Sequence, residues 1–203
     1  MRFSIIIPAH NAADRIRAAL EMIKVQSFAD YELIVVCDAC DDNTHEIAES
    51  YGARVFDVDN HSAGLTRNKG LDEACGEWVM FLDDDDHWIH PYVLEMVDQK
   101  LRASDESDIL QMGFYWKGVG VSGPLMGKFI WPNIWSKTFR REFIGDTRFS
   151  DAYGPDDLEF VNELLKRRPR LIFWDTPIYF YNYMRPGSIT DRLTKGDSNG
   201  SRT

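Results

Sequence analysis

The chain has 203 residues, 44% of them hydrophobic and 13% aromatic, enough for one domain with a substantial core and too apolar for a wholly disordered chain. Its 23 basic and 33 acidic residues leave a net charge of −10. That argues against a nucleic-acid backbone as partner and suits a site that gathers carboxylates around a cation, although acidity that only keeps the chain soluble would look the same. No run approaches the roughly 18 apolar residues of a membrane span, and the opening MRFSIIIPAHN lacks the apolar stretch of a leader, so a cytoplasmic chain is expected.

FSIIIPA, residues 3 to 9, is a continuous apolar run that suits a strand buried on both faces of a parallel sheet. Residues 12 to 26 turn helical, with Ile16, Ala19, Leu20 and Ile23 on one stripe and Asn11 as the cap. YELIVVCDA (31 to 39) reads as a second strand, DDNTHEIAESYG (41 to 52) as a short helix stopped at Gly52, and ARVFDVD (53 to 59) as a third strand. SAGLTRNKGLDEAC (62 to 75) reads as a helix in spite of Gly64 and Gly70. EWVMFLD (77 to 83) is the fourth strand, and Pro91 opens a helix over 91 to 103. This alternation predicts an α/β fold with a mostly parallel, Rossmann-like sheet flanked by helices.

Past residue 104 the pattern changes. DILQMGFYW (108 to 116) is strand-like, 117 to 128 is a glycine-rich loop or hairpin, and 129 to 149 mixes aromatic and basic residues. GPDDLEFVNELLKRR (154 to 168) is a helix with acids leading and bases closing, and RLIFWDTPIYFYNYMR (170 to 185) holds one or two strands. Residues 194 to 203 read as a polar, disordered tail.

In such sheets ligands sit at the carboxyl ends of the strands. The first, second and fourth strands end in PAHN, CDACDD and DDDDH, so acids gather on one edge. On an extended chain Asp83 and Asp85 project together, with Asp84 and Asp86 facing elsewhere. Adjacent carboxylates repel unless a cation neutralises them, and Mg²⁺ or Mn²⁺ takes one or two carboxylates plus substrate phosphates. A solvated acidic loop is the alternative. The position directly at a strand end favours metal and phosphate binding.

Asp156 and Asp157 open a helix. They read either as dipole stabilisers or as a general base at a helix entrance, and spacing alone leaves both open. Glycine-rich phosphate loops, a nucleophile elbow and an H-E-x-x-H are absent. His87 lies near the acidic run. Trp116, Trp131 and Trp135 suit either sugar stacking or the core. The three cysteines suggest a reducing compartment. Cys37 and Cys40 form a lone C-x-x-C, a weak sign of zinc or redox work, and Cys37 at the end of LIVVC reads as a buried structural thiol.

Five segments, in order, resemble the family 2 glycosyltransferases of GT-A type. They are FSIIIPAHN, IVVCDACDDNT, AGLTRNKGLDEACGEWVMFLDDDD, YGPDDLEF and YMRPGSIT, which together span residues 3 to 190. Cys37 and Ala39-Cys40 depart from the Asp-Asp-Gly-Ser turn usual at the second segment. The resemblance implies a single catalytic domain over 1 to 193, with a nucleotide-sugar half (1 to 104) and an acceptor half (105 to 193). It implies inverting transfer of a sugar from a nucleoside-diphosphate sugar, a UDP-sugar by preference, to a hydroxyl of a carbohydrate or lipid-linked glycan, as in surface polysaccharide synthesis. Peripheral contact with the inner face of a membrane would accompany a lipid-linked acceptor.

By matching position, Pro8, Ala9, Asn11, Asp38, Arg67, Asp83, Asp84, Arg185 and Ser188 fall on the donor side. Asp83 and Asp85 become ligands for Mn²⁺ or Mg²⁺. Asp157, with Asp156 beside it, becomes the catalytic base. Two alternatives stand beside this reading. A nucleotidyltransferase would normally carry a glycine-rich N-terminal loop, and PAHNAADRIR has no glycine. A non-catalytic nucleotide-sugar or glycan-binding module would be expected to have lost an acidic pair, and both pairs are intact.

Overall fold

The computed structural model describes residues 1–104, 106–122, 130, 132–151 and 156–182. The first apolar run forms β1 (Phe3–Ala9), buried throughout except for the half-buried Pro8. It lies between β2 (Tyr31–Asp38) and β4 (Trp78–Phe81), parallel to both, and β3 (Arg54–Val58) extends the sheet beyond β2. β-Alternation sorts the side chains onto two faces. Phe3, Ile5, Ile7, Leu33 and Val35 belong to a core shared with α1 (Arg17–Lys24), α2 (Thr44–Ser50) and α4 (Val93–Arg102). Ile6, Ile34, Val36 and Phe81 belong to a second core with α3 (Ala63–Glu73) and α6 (Asp156–Lys166). Helices therefore cover both faces, as the run of buried strands demands.

Beyond β4 the sheet is mixed. β8 (Lys137–Arg140) joins β4 antiparallel and β6 (Ile109–Trp116) joins β8 antiparallel; β9 (Leu171–Tyr181) then runs parallel to β6. The two-residue β5 (His87–Trp88) closes the far edge against β9, and β7 (Gly120–Ser122) makes a hairpin with β6. The predicted parallel pairing thus holds for β3-β2-β1-β4, and the second half adds antiparallel neighbours.

β5, β8 and the short α5 (Arg141–Ile144) carry no periodic signal. In β8 a fully buried Lys137 stands where a strand pattern needs an apolar residue. The one or two strands expected after 170 are a single strand whose register slips beside Gly113. A Cβ on Gly113 would lie 2.6 Å from the Asp175 carbonyl oxygen, so the irregularity around Pro177 is packed against that glycine.

The start of α1 differs most from expectation. α1 begins at Arg17 because Asn11 is not its cap. Asn11 takes φ +45°, and its side chain accepts from the Asp41 amide at 2.9 Å. The cap of α3 is Ser62, whose hydroxyl accepts from the Leu65 amide at 3.4 Å.

The glycines that made α3 a weak helix on propensity are required by packing. A Cβ on Gly64 would lie 2.3 Å from the Ser150 carbonyl oxygen, and one on Gly70 would lie 2.4 Å from Ile6 Cγ2. Gly70→Ala should therefore oppose its own helix propensity. An exposed helical site would gain about 1 kcal/mol, but overpacking against β1 should leave a net loss of about 1–2 kcal/mol in urea denaturation. A stabilised variant would show that α3 does not press on Ile6.

Candidate active site

The carboxyl ends of β1, β2 and β4 meet the N-termini of α3 and α6. The strand alternation expected through residue 83 stops at Phe81. Residues 83 to 86 form a turn closed by the Asp86 amide on the Asp83 carbonyl at 3.2 Å. The paired projection of Asp83 and Asp85 from an extended strand therefore does not apply, and the run separates into distinct tasks.

Asp84 is taken by Arg15 in a two-pronged pair of 2.9 and 3.0 Å. The same guanidinium donates to the carbonyls of Asn11 at 2.6 Å and His10 at 2.8 Å, which ties the turn to the end of β1. Asp86 is buried. It accepts from the Tyr179 hydroxyl and the Asn182 amide, each at 2.7 Å, which ties the turn to β9. Burial pushes its carboxyl well above the ordinary range. Asp85 stays half-buried between these anchors.

Asp83 points at Arg67 of α3, with the guanidinium 3.3 Å away. Arg67 also donates to Asp156 at 2.7 Å and lies 3.5 Å from Asp157 Oδ1. It is buried, with its guanidinium 5.7 Å from the centre of the Phe149 ring. So the sequence-predicted Arg67, Asp83, Asp156 and Asp157, separated by up to ninety positions, converge on one point. Asp157 Oδ2 accepts from the Ile134 amide at 3.2 Å, while its buried Oδ1 accepts no hydrogen bond among the described residues. The fully buried Lys137 stands near enough to feel the Asp157 charge. Burial lowers its ammonium to about 7.

The electrostatics are those of a crowded anionic site. Burial, with repulsion from Asp157, Asp85 and Asp84, pushes Asp83 up to about 7 against the pull of Arg67, although 26% of its side chain reaches solvent. Asp156 is also raised, by burial first and by Asp157 next, with Arg67 opposing. Three carboxylates against one guanidinium leave excess negative charge. Asp83 and Asp85 offer hard oxygen donors beside it, which fits a divalent cation of the Mg²⁺ or Mn²⁺ kind.

Asp38 is buried and differently occupied. Its two oxygens accept from the amides of Asn60, His61 and Ser62 and from the Thr66 hydroxyl, at 2.7 to 2.9 Å. It holds the loop into α3, its two oxygens shared among four donors. Ala9 is buried, and Pro8 and Asn11 line the same edge half-buried. Trp135 is core: it stacks on Tyr179 and Tyr181 at 4.7 and 4.8 Å and is 7% exposed. His87 stacks on Phe180 at 4.7 Å. Trp131, Arg185, Ser188 and the 194 to 203 tail lie outside the described residues. Sequence reasoning missed Arg15, Lys137 and Tyr179, whose roles depend on contacts far along the chain.

The sequence pattern described as "Glycosyl transferase family 2" matches residues 4–155. The chain belongs to glycosyl transferase family 2. Among curated relatives it is similar to the uncharacterized glycosyltransferase YibD of Escherichia coli, 26% identical across 98% of this chain, and to the cholesterol galactosyltransferase of Borreliella burgdorferi, 28% identical across 95%. The chain spans 66% and 63% of their lengths.

Among solved structures it resembles Staphylococcus aureus TarS 1–349 in complex with UDP-GlcNAc. The TM-score is 0.82 and the identity 23%, over 94% of this chain and 61% of that one. A mannosyltransferase of Pyrobaculum calidifontis in complex with GDP-Man and Mn²⁺ gives a TM-score of 0.75 at 18% identity, over 97% and 61%. The fold is that of the GT-A glycosyltransferases. No helix among the described residues is long and apolar enough to cross a membrane.

Arg67→Met tests the charge balance. Removing one partner of a buried ionic cluster costs roughly 3–5 kcal/mol, and that loss is expected at pH 7.5 in chelator. Without Arg67 the folded-state pKa values of Asp83 and Asp156 rise further above their unfolded values. The destabilisation is then present at neutral pH and relieved as pH falls and they protonate. Urea denaturation should show the deficit shrinking between pH 7.5 and 5. A pH-independent deficit would assign the loss to packing on Phe149.

Proposed function

We propose that this chain is a metal-dependent, inverting glycosyltransferase that moves a sugar from a nucleoside-diphosphate sugar to an acceptor hydroxyl. A UDP-sugar is the proposed donor, and a carbohydrate or lipid-linked glycan the acceptor. The observation that carries this reading is the convergence of the Asp83 turn and the Asp156–Asp157 helix start on the buried Arg67, with one Asp157 oxygen accepting no hydrogen bond among the described residues. The UDP-GlcNAc and GDP-Man complexes of its structural relatives support a nucleotide-sugar, and the Mn²⁺ of one of them supports a divalent ion.

Residues 1 to 104 form the donor half in this reading. Pro8, Ala9 and Asn11 line the nucleotide, and Asp38 acts indirectly by fixing the loop that starts α3. Asp83 and Asp85 would hold the cation, which when bound offsets the charge developing on the leaving diphosphate. Asp84, paired to Arg15, sets the turn on which Asp83 and Asp85 stand. Arg67 positions Asp83 and Asp156. Residues 105 to 193 form the acceptor half, with Arg185 and Ser188 on the diphosphate side.

In this half Asp157 is the base. Asp156 is held by the shorter contact to Arg67, whereas Asp157 Oδ1 keeps its acceptor capacity. In one displacement the acceptor oxygen bonds the anomeric carbon while the bond to the diphosphate oxygen breaks. The hydroxyl proton passes to Asp157. A single displacement inverts the anomeric centre. Polysaccharide synthesis at the inner face of a membrane is the setting proposed for that acceptor.

Calorimetry with UDP, with and without Mn²⁺, on wild type and Asp85→Ala is the first test. Binding that needs both the metal and Asp85 is expected. Absence of binding to UDP, GDP and dTDP under any metal would overturn the reading. Asp157→Asn should keep metal-dependent UDP binding while sugar release from a panel of UDP-sugars falls by about 10²–10⁴-fold. Equal losses of binding and turnover would remove Asp157 from the role of base.

A further inference from the structure

Away from the carboxylate edge, the described residues bring together one mixed set of metal-ligating groups: Cys37, His45 and Asp57. Cys37 lies at the end of β2, and Asp57 is its register partner on β3. Cross-strand partners share a face, here the face covered by α2, whose first turn carries His45. His45 Nδ1 lies 2.9 Å from Asp57 Oδ1. One ligand atom from each of the three residues lies within 4.8 Å of the other two. Cys37 is buried, whereas 31% of the His45 side chain and 65% of the Asp57 side chain reach solvent, so the cluster has an anchored floor and an open entry. Cys40 completes the C-x-x-C, and its thiol donates to the Ala9 carbonyl at 3.6 Å.

We propose that Cys37, His45 and Asp57 form a zinc-binding site that clips α2 to the β2–β3 edge. A thiolate, an imidazole and a carboxylate are the donors zinc takes, whereas Mg²⁺ and Mn²⁺ prefer oxygen alone. The cluster therefore differs in metal preference from Asp83 and Asp85, and it lies on the other face of the sheet from α3. A water supplies the fourth position of a tetrahedral centre. Binding releases the Cys37 thiol proton, and the metal takes the place of the proton that His45 and Asp57 now share. Affinity should accordingly fall as the pH drops and His45 protonates. His45 also lies 3.5 Å from Glu49 on the next turn, a carboxylate placed to orient the ring.

Cobalt titration of the whole chain decides it. The chain carries Cys75→Ser, because Cys75 is exposed, and is kept in a non-thiol reductant with excess Mg²⁺ to fill oxygen sites. The expected result is one Co²⁺ per chain with a thiolate-to-cobalt charge-transfer band in the near ultraviolet. Stoichiometric Zn²⁺ should abolish the band and raise the melting temperature. The band should vanish in Cys37→Ser, and affinity should weaken by roughly tenfold or more in His45→Ala and Asp57→Ala. Should Cys37→Ser fail to fold, the two surface variants decide alone. No charge-transfer band, or a band of unchanged affinity in both surface variants, overturns the site.

Discussion

The guanidinium of Arg67 is the point on which this molecule closes. It draws in a carboxylate from the turn after β4 and two from the start of α6, segments with no sequence connection to one another. Without it, three acids would face each other in a partly desolvated space, and burial alone cannot hold them ionised. A lysine could not replace it well, because one ammonium lacks the planar fork that serves two carboxylates at once. Placing that fork requires α3 to lie close to β1 and to the 149–150 segment. This is why α3 carries Gly64 and Gly70 at a cost in helix propensity. The weak intrinsic helix and the crowded anionic centre are two sides of one requirement.

Around that centre, acids that could have added to the repulsion are used to fix backbone. Asp38 gathers three amides and a hydroxyl of the loop into α3. Asp42 accepts from the Ala13 amide at 2.9 Å, Asp84 pairs with Arg15, and Asp86 fastens the acidic turn to β9. Asn11, Ala39 and His61, one after each of the first three strands, all take positive φ. Left-handed backbone at a non-glycine residue costs of order 1–3 kcal/mol and persists only where surrounding contacts over-determine it. Those contacts are present here: Asn11 to Asp41, and Asp38 to the loop that contains His61. The edge that meets the donor in the proposed reaction is thus made rigid by hydrogen bonds before any ligand arrives.

The first hundred residues were legible because buried parallel strands write themselves as apolar runs and amphipathic helices as stripes. The strand ends could be placed, and with them the edge where Asp83, Asp85 and Arg67 gather. What followed was less legible for physical reasons. β8 buries Lys137 whole, β5 is two residues long, and β9 slips register around Pro177, so none shows a clean period. Within the site, residue type alone could not say that Asp38 is saturated by a loop, that Asp84 belongs to Arg15, or that Asp156 rather than Asp157 takes the shorter contact to Arg67. Each fact depends on a partner tens of positions away. The same holds for Cys37. Read along the chain it is a thiol at the end of an apolar strand, and only the β2–β3 register puts Asp57 beside it.

The last two residues of β2 show how one strand end can serve two purposes. Successive side chains point to opposite faces. Cys37 faces the core shared with α2, and Asp38 faces the loop and hydroxyl that begin α3. Asp38 holds Thr66, and Thr66 is adjacent to Arg67, so the position of the buried guanidinium depends on where β2 ends. A metal clip on Cys37 would fix that end from the opposite side of the sheet. It would add no contact to the Arg67 centre, yet it would narrow the motion of the strand from which Asp38 reaches α3. Stiffness at an edge built from three strained turns can therefore come from behind the sheet as well as from the loops themselves.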